Sequence, residues 1–588
     1  MKSMRKTVAR AAVVVTALAL ALSACASGSS DSADNGEHDT KATEPLSGFP
    51  AKTMGTSYPM PTAGVAYDNT QDRDKLQQGG TLTLATTEIG PNWNAFSTDG
   101  NTGYMAQFWT YYMPQLWDYD VSGNPTPNPD YLSGVTVTSE DPLTVTYDIN
   151  PKAVWNDGTP IDWTAFEATW KTQSGKTKGY NPPSTTGYEQ VKSVTQGDNA
   201  KQAVVTFGTP FYPYQLLFGQ LENPKAVDVD TFTQGWVNKP HNEWAAGPFK
   251  VDSFDDTQAT FVPNPSWWGK KPLLDKVQFK VMDESASINA FQNGEVDATG
   301  VAAADRLKVA QGMDNVEIRV NTALASGVVV LNTKADALKD QAVRKALTQA
   351  IDRTKLVEID NQGLNWKEEP LGSEIMYPFQ DGYEDNMPAE SKYSVENAGK
   401  TLEGEGYAKG SDGYYAKGGK PLTTKYTFFG DSPTQTAIAN AIQAMGKAAG
   451  IKIDLDHQDP SKFSDVVLGG KYESLIMAWS ASDPYGYSSA GYQLYGSDSD
   501  SNFAYIGDPT ADEGFKKAGL TEDPKEATKT FNEAEKKALE LYGTFPIDNG
   551  PVMLAVKKGL ANYGGSSMAP SNGFKALSPH PENIGWQK

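Results

Sequence analysis

The side chains able to do covalent or metal chemistry are few and far apart. Cys25 is the only thiol among 588 residues, and the 4 histidines stand at positions 38, 241, 457 and 580, too scattered to suggest a metal cluster. No His-Glu-x-x-His, no Gly-x-Ser-x-Gly and no nucleophilic cysteine is present. Asp157 and Asp162 could be taken as an acid and base pair. Asn156-Asp157-Gly158, however, reads as a turn, and Asp162 as the N-cap of a helix carrying Phe166 and Trp170 on one face. Carboxylate pairs for glycosidic cleavage stay open, because Asp and Glu occur throughout the chain. The stretch best suited to hold a small molecule is Lys471 to Pro484, which ends Ala478-Trp479-Ser480-Ala481-Ser482-Asp483-Pro484. There a continuous apolar strand, Leu475 to Met477, runs out into a polar loop, and open α/β sheets bind ligands at such carboxyl ends.

The elements around that stretch alternate between strand and helix. Gly80 to Ala85 alternates as a strand. From Val251 to Val301 the pattern is strand, tight turn, strand, helix, strand, with Val277, Phe279 and Val281 on one face and Asn293-Gly294 closing the helix. Strands are expected at Gly134 to Val137, Thr144 to Asp148 and Val328 to Thr333, and Asp340 caps a helix striped by Val343, Leu347 and Ile351. Gly418-Gly419 turns a hairpin. Ser432-Pro433-Thr434-Gln435 opens a helix faced by Ile438, Ile442 and Met445, Gly450 ends it, and Ile451, Ile453 and Leu455 alternate after it. These are βαβ units of an open α/β fold.

The length exceeds one ordinary core and suggests three or four domains. A formal charge of -21 leaves no basic footprint for nucleic acid. Lys2, Arg5, Lys6 and Arg10 precede a short apolar run, Ala11 to Leu22, that is too short to span a bilayer comfortably. Leu22-Ser23-Ala24-Cys25 then resembles a lipobox, which implies a diacylglycerol on Cys25 and anchorage to the membrane. Without a second cysteine an exported chain has no internal disulfide. The residues after Cys25, up to about Gln78, read as a flexible tether.

Asn264-Pro265, Trp268-Gly269, Lys271-Pro272, Leu274-Asp275 and then Gly294-Glu295-Val296-Asp297 resemble the signature of family 5 extracellular solute-binding proteins, the oligopeptide and dipeptide receptors of ABC importers. Trp155 to Asp162, Gly247 to Val251, Val343 to Arg353 and Ala398 to Tyr407 are similar to further stretches of that family. The resemblance implies a type II periplasmic-binding-protein fold (cluster C): two main α/β lobes, an extra subdomain, a hinge and a ligand in the interlobe cleft. The expected division is 1–25 signal peptide and lipobox, 26–78 tether, 79–110 lobe I, 111–245 extra subdomain, 246–324 lobe I again, 325–548 lobe II and 549–588 the end of lobe I. Hinge strands are expected near Asn321 to Val328 and Thr544 to Val556, and Arg344 and Arg353 as surface or interlobe ion pairs.

The resemblance also implies the site. Family members read G-W-x-A-D-Y where this chain has Trp479 and Ala481, with the Asp displaced to Asp483 and Ser482 in its place. Asp483 is thus read in two ways, as the partner of a ligand's amino terminus or as the turn former before Pro484. Ala478, Trp479, Ser480, Asp483 and Tyr485, with Gly100 and Asn101 from the family's cleft-entering loop, are the expected ligand contacts. The implied function is a binding lipoprotein, monomeric and on the extracellular face of the cell membrane, that passes oligopeptides to a permease without a cofactor or metal. Oligosaccharides or another small solute on the same fold, and an exported hydrolase, are the alternatives.

Overall fold

The computed structural model describes residues 69–119, 125–282, 284–322, 324–364, 366–430, 432–459, 462–480, 485–486, 490–499, 501–564 and 580–588. Cys25, the expected leader, most of the expected tether and Asp483 lie outside them. No described helix is long and apolar enough to cross a membrane.

A seven-stranded sheet runs in the order Val316–Thr322, Pro551–Lys557, Ala298–Gly300, Thr81–Thr86, Lys276–Val281, Gln258–Pro263 and Phe249–Phe254. Thr81–Thr86 alternates as its sequence does, burying Leu82 and Leu84, and pairs in parallel with Lys276–Val281 and Ala298–Gly300. A helix, Gly103–Tyr112, covers this sheet and was not expected from the sequence. Met105, Phe108, Trp109, Tyr111 and Tyr112 are all buried, so the helix is apolar nearly all round and offers no stripe to recognise.

The family signature forms a weld in this lobe. Asn264 Nδ2 donates to Asn156 Oδ1 and to the Gly247 carbonyl, each at 2.7 Å. Trp268 Nε1 donates to the Asp130 carbonyl at 2.7 Å, and Trp267 and Trp268 pack on the core of the four-stranded sheet described next. Asp297 accepts from Thr83 N at 2.6 Å and pairs with Lys557 Nζ at 2.7 Å, fixing the sheet's centre.

The four-stranded antiparallel sheet runs Leu132–Glu140, Leu143–Ile149, Gln202–Phe207, Val191–Gln196, with both leading strands longer than their alternating sequence suggested. Asp162 accepts from Thr164 N as a helix cap, and Asp157 accepts from Thr159 N in its turn. Each carboxylate is therefore committed to local backbone, and Asp157 also pairs with Lys225.

A five-stranded sheet forms the other lobe, in the order Lys452–Gln458, Thr423–Phe429, Ser474–Ser480, Ala325–Leu331, Thr544–Pro546. Helix Pro433–Ala448, capped by Ser432, joins two parallel neighbours as the expected βαβ unit. Gly418 and Gly419 both hold positive φ, 60° and 79°, which a two-residue hairpin turn of this hand demands. Two long helices, Pro509–Gly519 and Pro524–Leu539, pack together beside this sheet and were likewise unread in the sequence.

Arg344 and Arg353 correct an expectation. Among the described residues neither is held in an ion pair. Arg344 donates to the Leu338, Lys339 and Leu541 carbonyls, and Arg353 to those of Leu371 and Pro546. Buried helix and strand ends leave carbonyls that need a donor, and a guanidinium supplies several in a fixed fork.

The chain crosses between the two large sheets after Thr322 and again after Pro546. The crossings are tied together. Asn549 Nδ2 donates to the Ala325 carbonyl at 2.6 Å, Gly327 N to the Asp548 carbonyl at 2.9 Å, and Gly550 N to Glu368 Oε1 at 2.9 Å.

Candidate ligand-binding site

Strand Ser474–Ser480 lies in the middle of the five-stranded sheet, yet half of one edge is open. Along one side it pairs in full, Ser474 to Ser480 against Leu331 to Ala325. Along the other, parallel pairing with Thr423–Phe429 stops at Thr427↔Leu475. From Ile476 to Ser480 that edge has no strand partner among the described residues. The chain leaves Thr423–Phe429 for Lys452–Gln458 on one flank and leaves Ser474–Ser480 for Thr544–Pro546 on the other. A crevice therefore opens between two carboxyl ends at the point where the winding reverses, the location where open α/β sheets take ligands.

The side chains alternate about this edge. Leu475 and Met477 are buried, Trp479 is half-buried and stacks on Phe503 with centroids 5.7 Å apart, and Ala478 is exposed. Ser480 holds its backbone register opposite Ala325. Trp479 and Tyr485 pack on the same apolar cluster, with Ile375, Leu494, Phe515 and Phe531, so the structure brings these two expected residues together. Asp483 falls outside the described residues.

Gly100 and Asn101 sit on the other lobe, before helix Gly103–Tyr112. Gly100 is buried, and a Cβ there would stand 2.2 Å from the Asn94 carbonyl oxygen. Its residue type is thus demanded by close backbone packing. Thr98 N and Oγ1 tie this loop to the Asn181 carbonyl, at 2.8 and 2.7 Å.

Two features escaped the sequence reading. One is a cavity of about 200 Å³ between the four-stranded sheet's subdomain and the two long helices, walled by Tyr212, Tyr214 and Tyr485 with Glu140 and Glu522 in its lining. These residues are hundreds of positions apart, and only Tyr212-Pro213-Tyr214, two rings flanking a proline, gave any local signal. The other is a set of buried carboxyls. Glu374 is pushed up to about 8 by burial, against lowering by a hydrogen bond to Thr544. Its neighbour Glu535, also raised by burial, accepts from Asn386 Nδ2 at 2.6 Å, Tyr495 Oη at 2.9 Å and Glu374 N at 3.1 Å. At the crossings Asp360 and Asp548 are hydrogen-bonded carboxyl to carboxyl, both raised by burial. Among the described residues no group of three or more His, Cys, Asp or Glu could hold a metal ion.

Residues 126–503 match the family described as bacterial extracellular solute-binding proteins, family 5 Middle. The chain is 32% identical over 509 residues to the oligopeptide-binding protein OppA of Mycobacterium tuberculosis, covering 85% of each. Among solved structures it is similar to a periplasmic EDTA-binding protein, EppA, with a TM-score of 0.81 and 28% identity, covering 91% of this chain and 100% of that one. The fold is also that of the oligopeptide-binding protein AppA of Bacillus subtilis in complex with a nonapeptide, TM-score 0.69 at 20% identity over 87% of this chain and 100% of that one. These relatives are binding proteins and not enzymes. The lobed α/β architecture, the crevice at the reversal of winding and the family match across most of the chain agree: the protein belongs to the family 5 bacterial extracellular solute-binding proteins, the binding components of ABC importers.

Proposed function

We propose that the protein captures extracellular oligopeptides in the cleft between its lobes and delivers them, by lobe closure, to a membrane permease. In this reading it is a monomeric lipoprotein held to the cell membrane through Cys25. The observation that carries the reading is the unpartnered backbone edge from Ile476 to Ser480 beside Trp479. An extended peptide laid along that edge satisfies its own N–H and C=O groups, so affinity comes from main chain and tolerates many side chains. Each such bond contributes about 1 kcal/mol net. Asp483 is carried in this reading as the partner of the ligand's amine, and the crossings after Thr322 and Pro546 as the hinge. The name and 32% identity of the mycobacterial relative support the ligand class.

The EDTA-binding neighbour favours a second reading, a polycarboxylate chelate in the same cleft. One calorimetric experiment separates them. Unliganded protein is titrated with an oligopeptide pool, with single peptides and their backbone N-methylated analogues, and with a metal–EDTA complex. Peptides are expected to bind and be recovered intact, and N-methylation at a paired position to weaken binding roughly five-fold. Binding of the chelate alone, cleavage of the peptide, or indifference to N-methylation at every position would each overturn the peptide reading.

A further inference from the structure

The cavity between the four-stranded sheet and the two long helices is built by two separate bodies of the fold. Val137, Glu140 and Leu143 come from the hairpin of that sheet, and Tyr212 to Gln215 from a loop beside it. Tyr485, Ala518 at the end of helix Pro509–Gly519, and Thr521 and Glu522 in the turn before helix Pro524–Leu539 close the other wall. At about 200 Å³ it has room for one long side chain, since water fills roughly 30 Å³ per molecule in the liquid.

Its lining has a consistent character. Three phenol rings, Tyr212, Tyr214 and Tyr485, are half-buried around it. Glu140 and Glu522 reach it from opposite walls, and both bear on Tyr212, as does Asp141, all three raising its phenol behind the effect of burial. The described lining holds no lysine, arginine or histidine, and neither glutamate forms a salt bridge among the described residues. Ring faces attract cations, and carboxylates converging from two walls select for the same charge. The alkyl stem of a basic side chain suits the remaining apolar wall of Val137, Leu143 and Pro213.

We infer that this cavity is a specificity subsite for a lysine or arginine side chain of the bound peptide. The inference rests on the peptide reading and deepens it. Tyr485 links the subsite to the strand edge, because it lines the cavity and packs on the same apolar cluster as Trp479. An occupant touches both walls at once, so its binding free energy is realised only when the two bodies are together, and a basic peptide favours the closed form over the open one.

The test is a lysine scan. A peptide that binds is synthesised with lysine at each position in turn, and with norleucine, which keeps the stem and removes the charge. At one position lysine is expected to bind about ten-fold tighter than norleucine at low salt, with the gap shrinking as salt rises. Both glutamates are exposed, so the double variant E140Q/E522Q folds, and it is expected to bind the lysine and norleucine peptides alike. Equal affinity for the two at every position in the parent protein overturns the subsite while leaving peptide binding in place. A lysine preference that survives in E140Q/E522Q overturns it too. Failure to retain any peptide overturns the peptide reading and the subsite with it.

Discussion

Replacing Glu374 with glutamine should make the protein more stable at neutral pH and leave it nearly unchanged in mild acid. The carboxyl is fully buried, and one of its oxygens, Oε1, has no hydrogen-bond partner. Burial holds it at about 8 against an ordinary 4.5, so the folded protein keeps the proton near pH 7 while the unfolded chain releases it. A raised acid binds more protons folded than unfolded between those two values, so its cost to stability grows as pH rises through that window and then levels off. At 1.36 kcal/mol per pH unit, the cost is roughly 3 kcal/mol near pH 7 and roughly 1 kcal/mol near pH 5. Glutamine stays neutral throughout but brings a second N–H that the site does not satisfy, at about 1 kcal/mol. Glu374→Gln is thus expected to gain roughly 2 kcal/mol near pH 7, to gain more near pH 8 and to break even near pH 5. Urea unfolding of parent and variant, followed by tryptophan fluorescence at the three pH values, measures the difference directly. A difference that does not grow between pH 5 and pH 8, or a variant less stable at all three, would show that Glu374 is ionised in the folded protein and that its partners have been misjudged.

Two further outcomes concern the proposed hinge and the proposed anchor. Asp360, Glu368 and Asp548 meet at the interlobe crossings, all raised by burial, with Arg353 on the neighbouring Pro546 carbonyl. Raising the pH removes the proton held between Asp360 and Asp548 and leaves like charges facing each other, so the amides at the crossings should lose protection, measured against the intrinsic exchange rate at the same pH, as pH rises, and Asp548→Asn should remove that loss. Protection factors at the crossings that stay constant in the parent as pH rises would separate these carboxyls from the proposed hinge. Cys25→Ala should release the protein from membranes while leaving peptide titrations of the purified protein unaltered; a variant that still sediments with membranes contradicts lipid anchoring.

What the sequence disclosed, and what it concealed, follows from the range of the interactions involved. Caps and turns depend on neighbours in the chain, and Asp162, Asp340, Ser432 and Gly418-Gly419 were legible for that reason. Alternating strands such as Thr81–Thr86 were legible because one face is buried and the other is partly open. Helix Gly103–Tyr112 was hidden because it is buried on nearly every side, which erases the stripe that periodicity needs. The roles of Arg344 and Arg353 were misread because type and spacing suggest charge, whereas their partners are carbonyls up to about two hundred positions away.

The site divides along the same line. That a strand runs through Leu475 to Met477 was readable, since a continuous apolar run is a local pattern. That the edge from Ile476 to Ser480 stands open was not, because it depends on where Thr423–Phe429 stops pairing. The two observations need each other. A strand end beside a fully paired neighbour would offer only side chains, and would select one ligand chemistry. An open edge offers backbone, which is the same for every peptide, and leaves discrimination to pockets further out, such as the one between Glu140 and Glu522. General capture and particular preference can therefore reside in separate parts of one cleft, and substitutions in the outer pocket should change which peptides are held without ending the capacity to hold them.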